Sequence, residues 1–160
     1  VKKAGILLLL LLAGCSTFDQ DFDGWFPRTS AQSADPMLGC WEGIWQSDAN
    51  GHEGSLRCII TREDSVYHAR YYAAYQWFIF PFSFEYTIPT TAVKEGEAAA
   101  PGGAWKLRGS AELGCWIAGG LYEYEARVES GEYVATYRSD FDRGVFRMKH
   151  VDPHPFKYPK

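Results

Sequence analysis

No apolar run in the 160 residues reaches the twenty or so that a membrane-spanning helix needs. The longest, Ala4 to Gly14, would extend about 16 Å as a helix, roughly half of a hydrocarbon core. Nor does any segment beyond it carry a helical stripe, which points away from a bundle. The four histidines are scattered, with His52 in a turn, His68 on a strand and His150 and His154 flanking a proline-rich tail, so there is no zinc signal. No glycine-rich phosphate loop, serine elbow or nucleotide fingerprint occurs, so no catalytic residue, metal or cofactor is assigned and an enzyme is not expected. Basic residues are outnumbered, 16 against 20 acidic, and a net charge of −4 repels phosphate backbones, which speaks against a nucleic-acid partner.

What is present begins with order at the amino end. Val1-Lys2-Lys3 precedes Ala4-Gly5-Ile6, six leucines and Ala13-Gly14-Cys15, the charged, apolar, small-residue sequence of a secretory signal. Leu12-Ala13-Gly14-Cys15 resembles the lipobox of bacterial lipoproteins. That resemblance implies a signal peptide over 1–14 and a lipid on the Cys15 sulfur, followed by acylation, as with palmitate, of the new terminal amine. Several chains on one residue hold a protein at a membrane effectively permanently, where one holds weakly. Ser16 is not the aspartate that resembles an inner-membrane retention signal, so the expectation is an outer-membrane lipoprotein facing the periplasm. Loss of Lys2 and Lys3 leaves 14 basic against 20 acidic residues, about −6.

Residues 15–37 have no sustained period and read as a flexible tether, about 25 Å in root-mean-square span. Its cluster Phe22, Trp25 and Phe26 either docks on the body or lies on the membrane surface.

Residues 38–151 read as one domain of strands. Aromatics make up 16% of the chain, which favours strands. Trp41, Gly43, Trp45 and Ser47 share one face, and Asn50-Gly51 is a strong hairpin signal. A two-residue turn there sets Trp45 opposite Leu56, Gly43 opposite Cys58 and Trp41 opposite Ile60. Further strands are expected over 65–75, 82–90, 105–113, 116–128, 132–139 and 144–150, with 94–103 a loop and 152–160 a proline-rich tail. About eight short strands in hairpin succession indicate an all-β, antiparallel up-and-down barrel, whose interior is filled by side chains or holds one small ligand. Gly39-Cys40-Trp41 resembles the glycine-x-tryptophan motif on the first strand of lipocalins. The resemblance implies a barrel floor of Gly39 and Trp41 with a late arginine, Arg147, packed across it.

A lipocalin-like barrel implies a small apolar or amphiphilic ligand, and the side chains that could meet it are Trp45, His68, Arg70, Tyr72, Trp77, Phe80, Trp105, Tyr122 and Tyr124. The alternative is a non-catalytic envelope protein with a solid barrel. On the strand expected over 65–75 the Tyr67, Tyr71, Tyr75 face and the His68, Arg70, Tyr72 face compete for the interior. Tyr75 to Phe82 is apolar on both faces, and it is either core or an aromatic gate at the mouth. Glu123 and Glu125 share a face at a spacing usable for acid and base work, with solvation the simpler role. Ser139-Asp140-Phe141-Asp142-Arg143-Gly144 has calcium-friendly carboxylates, and more simply makes the last hairpin turn. Cys40, Cys58 and Cys115 allow one disulfide at most, and buried thiols are expected.

Overall fold

The computed structural model describes residues 17–25, 27, 34–77, 79–95, 103–114 and 120–151, with Trp77 described by its backbone alone. The expected signal peptide, Cys15, Phe26, Cys115 and the tail over 152–160 lie outside the described residues.

Eight strands follow one another: β1 Gly39–Ser47, β2 Glu53–Glu63, β3 Val66–Trp77, β4 Phe80–Lys94, β5 Trp105–Leu113, β6 Gly120–Glu129, β7 Glu132–Arg138 and β8 Arg143–Val151. Each pairs antiparallel with the next, and β8 returns to β1 to close an up-and-down barrel. Alternation is the reason: Tyr122, Tyr124, Ala126 and Val128 of β6 are buried while Glu123, Glu125 and Arg127 are exposed, so the strand curls with its apolar side inward. The β6–β7 connection has Ser130 at φ 52° and Gly131 at φ 77°, the two positive angles that a type I′ turn requires.

Asn50-Gly51 behaves differently from expectation. The last β1–β2 pair is Gln46 with Glu53, so Trp45 meets Gly54, Gly43 meets Leu56 and Trp41 meets Cys58, two places from the expected register. Ser47 is the cause. Its Oγ accepts hydrogen bonds from the backbone of Ala49 and Asn50, and its carbonyl accepts from Gly51, which lengthens the turn. An even shift leaves every side chain on the expected face.

The segment read as a tether is docked in part. A six-residue helix, α1 Phe18–Asp23, lies on the outer wall over β2 and β3 with Phe18 and Phe22 buried against Cys40, Ile59 and Tyr72. Arg57 and Arg70 clamp it through Asp19 at 2.5 Å and Asp21 at 2.6 Å. The Arg57 guanidinium also lies over the rings of Phe18, Phe22 and Tyr72. Hydrogen bonds from Arg70 and Thr17 hold the Asp21 carboxyl below the usual carboxylate range.

Cys40 and Cys58 are both free and buried. They sit on adjacent strands but opposite faces, Cys40 outward beneath α1 and Cys58 inward. Burial pushes the Cys40 thiol up to about 12 and that of Cys58 well above its ordinary value.

Candidate functional site

The two ends of the barrel are built differently. At one end Met37 and Leu38, on the chain leading into β1, plug the opening and are almost wholly buried. The Trp41 indole donates to the Met37 carbonyl at 3.2 Å, and the His150 ring stands edge-on to Trp41 while its Nε2 contacts the Leu38 carbonyl at 3.1 Å. Asp35 fixes this plug by accepting from Arg62 at 2.7 Å and from the Tyr67 hydroxyl at 3.0 Å. This is the closed end.

Rings fill the middle. The Tyr71 and Tyr133 hydroxyls share a hydrogen bond of 2.6 Å, and Tyr86, Tyr124, Tyr137 and Phe146 pack around them at ring separations of 5.0 to 6.5 Å. Burial raises the pKa of Tyr71, Tyr86, Tyr124, Tyr133 and Tyr137, so all five stay protonated donors.

The opposite, open end is looser. Trp45 of β1 packs edge-on to Tyr75 of β3, and Tyr75 stacks with Phe82 and Phe84 of β4 at 5.6 and 5.7 Å. These four rings form a half-buried shelf across β1 to β4. Ala111 and Leu113 of β5, smaller and also half-buried, pack against the same interior. The indole of Trp45 lies over Gly54, where a Cβ would stand 2.7 Å from Nε1, and that buried N–H has no acceptor among the described residues. An unpaired buried donor costs about 1–3 kcal/mol, so a ligand oxygen placed there would recover it.

Among the described residues β4 pairs with β5 only from Thr90 with Gly109 to Lys94 with Trp105. With β3 it pairs as far as Phe80.

The residues singled out by sequence scatter across this frame. Trp45, Trp105, Tyr122 and Tyr124 face the interior, Trp45 at the open end and Trp105 towards the closed end, where the Lys94 ammonium lies 6.0 Å from its ring. His68, Arg70 and Tyr72 face outward: Arg70 binds Asp21 and Glu85, Tyr72 lies under α1, and His68 is 3.9 Å from Glu63. Phe80 is at the tip of the β3–β4 hairpin, 58% exposed beside Ile79 at 79%, and the Trp77 side chain is outside the described residues. The stretch from Tyr75 to Phe82 thus divides: Tyr75 and Phe82 belong to the shelf, and Ile79 and Phe80 stand in solvent. Gly39 and Trp41 do lie at the closed end. Arg147 does not cross it, because it is exposed between inward Phe146 and Met148, and His150 is the side chain against Trp41.

Tyr75 and Phe82 fall within the aromatic stretch that the sequence marks as core or gate, whereas Phe84 and Leu113 are not among the ligand-binding candidates it offers. Glu123 and Glu125 are exposed and paired with Arg138 at 3.1 Å and Arg108 at 2.9 Å. Asp142 accepts from Ser47 at 2.6 Å and Tyr137 at 3.0 Å and orders the last turn. Among the described residues no group of three or more His, Cys, Asp or Glu is placed to hold a metal. Among the described residues grooves lie on the outer wall, one of about 790 Å³ beside α1, one of about 1050 Å³ crossing β4 to β8 and one of about 600 Å³ across β2 to β4 near the open end. Comparison with protein-family models, with curated proteins and with solved structures gives no match.

Proposed function

We propose that this chain is a lipid-anchored barrel of the bacterial cell envelope, lipocalin-like in role, that takes up one small apolar or amphiphilic molecule at its open end. The observation that carries the reading is the aromatic shelf of Trp45, Tyr75, Phe82 and Phe84, half-buried and ending in an indole N–H without an acceptor among the described residues. Apolar walls with few, placed polar groups are the usual chemistry of a small-molecule site. The site is shallow, since the tyrosines below it occupy the barrel's middle. Anchoring rests on the lipobox and is tested by fractionation: Cys15→Ser is expected to leave membranes, and a variant still held there would refute the anchor. Native mass spectrometry of the mildly extracted protein tests the ligand. A bound mass of a few hundred daltons, lost in Trp45→Ala, is expected; bare protein throughout would refute it.

The filled middle favours a second reading, a solid, non-catalytic envelope protein that docks a partner through its exposed hairpin tip. Crosslinking in cells with Ile79→Ser and Phe80→Ser separates the two. A partner lost in these variants, with no bound mass, supports the second.

A further inference from the structure

We propose that the open end of the barrel faces the membrane that holds the chain and rests on it by an apolar rim, with Ile79, Phe80, Leu121 and Phe141 entering a lipid surface of zwitterionic headgroups. This rests on the reading that Cys15 carries the lipid anchor, and it supplies the orientation of the barrel and the class of lipid it touches.

Direction comes from α1. Its first turn lies at mid-height on the wall, where Phe18 stacks on Tyr72 at 5.2 Å and the Thr17 hydroxyl accepts from Arg70 at 3.2 Å. Its last turn lies at the closed end, where the Phe22 carbonyl accepts from the Cys40 thiol at 3.3 Å and the Trp25 ring reaches Gly39. Followed backwards, the helix axis therefore points to the open end. Cys15 lies two residues before Thr17, at most about 7 Å of chain, whereas β3 extends about 17 Å beyond Tyr72 to Trp77. With α1 docked, a lipid on Cys15 holds the barrel against the surface instead of on a long tether.

The rim decides which part meets lipid. Among the described residues seven large apolar side chains are exposed, and four of them stand at the open end: Ile79 and Phe80 at the β3–β4 tip, Leu121 at the start of β6 and Phe141 in the β7–β8 turn. Of the other three, Ile44 and Val134 are on the wall and Val93 alone is near the closed end, whose turns expose Glu63, Asp64, Glu129 and Glu132 instead. A Cβ at Gly120 would stand 3.5 Å from the Phe141 ring, so Phe141 and Leu121 are neighbours, and the hairpin tip lies across the mouth from them. Two small apolar points on opposite sides of an opening suit a fluid surface, which moulds to both. A protein partner is held through one central, well-packed cluster. Charge selects the lipid. Apart from the Arg138–Glu123 pair, the described charges at this end are Asp48, Glu53, Glu112, Asp140 and Asp142 with Arg143, so anionic headgroups are repelled and zwitterionic ones are not.

The test uses the mature lipidated protein, with Cys115→Ser as background, in phosphatidylcholine vesicles that contain a lipid with a doxyl quencher high on its acyl chain. A bimane label is attached through Asp140→Cys, beside Phe141, or in a second protein through Glu132→Cys at the closed end. Cys40 and Cys58 are buried and react far more slowly. Quenching is expected to be about threefold stronger at position 140 than at 132. Phe80→Ser with Phe141→Ser should lower the quenching at 140 about threefold while the protein still floats with the vesicles, and Val93→Ser should leave it unchanged. Replacing most of the phosphatidylcholine by phosphatidylglycerol should halve it at low salt, with recovery at high salt. Equal quenching at the two positions, or stronger quenching at 132, overturns the orientation and keeps the anchor. Quenching at neither overturns the lipid contact and leaves the rim to a protein partner. Quenching at 140 that survives the double serine variant overturns the role of the rim, and quenching indifferent to phosphatidylglycerol overturns the choice of headgroup. A protein that fails to float with the vesicles overturns the anchor and the orientation together.

Discussion

Trp41 and Trp45 stand four residues apart on one face of β1, yet one is wholly buried with its indole satisfied and the other is half-buried with its indole unpaired among the described residues. The difference is made by neighbours. Trp41 lies beneath a plug, Met37 and Leu38, held by Asp35 and His150. No comparable described segment covers Trp45, and its ring neighbours, Tyr75, Phe82 and Phe84, are themselves half open. Among the described residues one end of this barrel is closed by buried, fully paired side chains, and the other keeps apolar rings half-exposed.

Five substitutions break or sharpen that contrast, beginning with the largest effect. Trp41→Ala should cost about 3–5 kcal/mol in denaturant unfolding, as for a large buried aromatic, and Trp45→Ala only about 1 kcal/mol. Equal losses would erase the distinction between the ends. Tyr71→Phe removes half of the central hydroxyl pair and leaves Tyr133 wanting a partner, which should cost about 1–3 kcal/mol by the same measurement.

Undocking α1 should cost less and is read locally. With Cys115→Ser as background, Asp21→Asn should make Cys40 react with dithiodipyridine about tenfold faster at pH 7, because the buried thiol is reached only when the helix lifts. Since the folded pKa of Asp21 lies below its ordinary 3.8, its contribution is present at neutral pH and lost as pH falls through the folded value. In the unaltered chain the reaction should therefore accelerate below about pH 4 relative to a free thiol, and Asp21→Asn should flatten that rise. At the small end of the scale, Phe80→Ser should change stability by less than about 0.5 kcal/mol, since the ring is already in solvent.

The strand count and the closed barrel were legible because alternation in β3, β5, β6 and β7 is clean. The inner face of β1 was legible for the same reason, and the two-residue error in register did no harm because faces repeat every second residue. The turn itself was not legible: Asn50-Gly51 carries a strong hairpin signal, but Ser47 recruits the backbone of 49–51 through a contact to Asp142, 95 positions away. The helix α1 escaped notice because six residues hold too little periodicity. Its spacing of Phe18 and Phe22, with Asp19 and Asp21 facing arginines, acquires meaning only against β2 and β3. The face of β3 could not be chosen from its own residues, since both alternatives carry tyrosine. Pro81 and Pro89 lack the N–H that a ladder uses, a signal that β4 pairs less regularly than its neighbours.

The contrast between the ends is measured most directly by the indole N–H resonances of Trp41 and Trp45, assigned by Trp→Phe substitution, during titration with a lysophosphatidylcholine below its micelle concentration. An open upper site requires the Trp45 signal to move as its proton gains an acceptor while that of Trp41 stays in place. A shift at Trp41 without one at Trp45, or no shift at either, would contradict it.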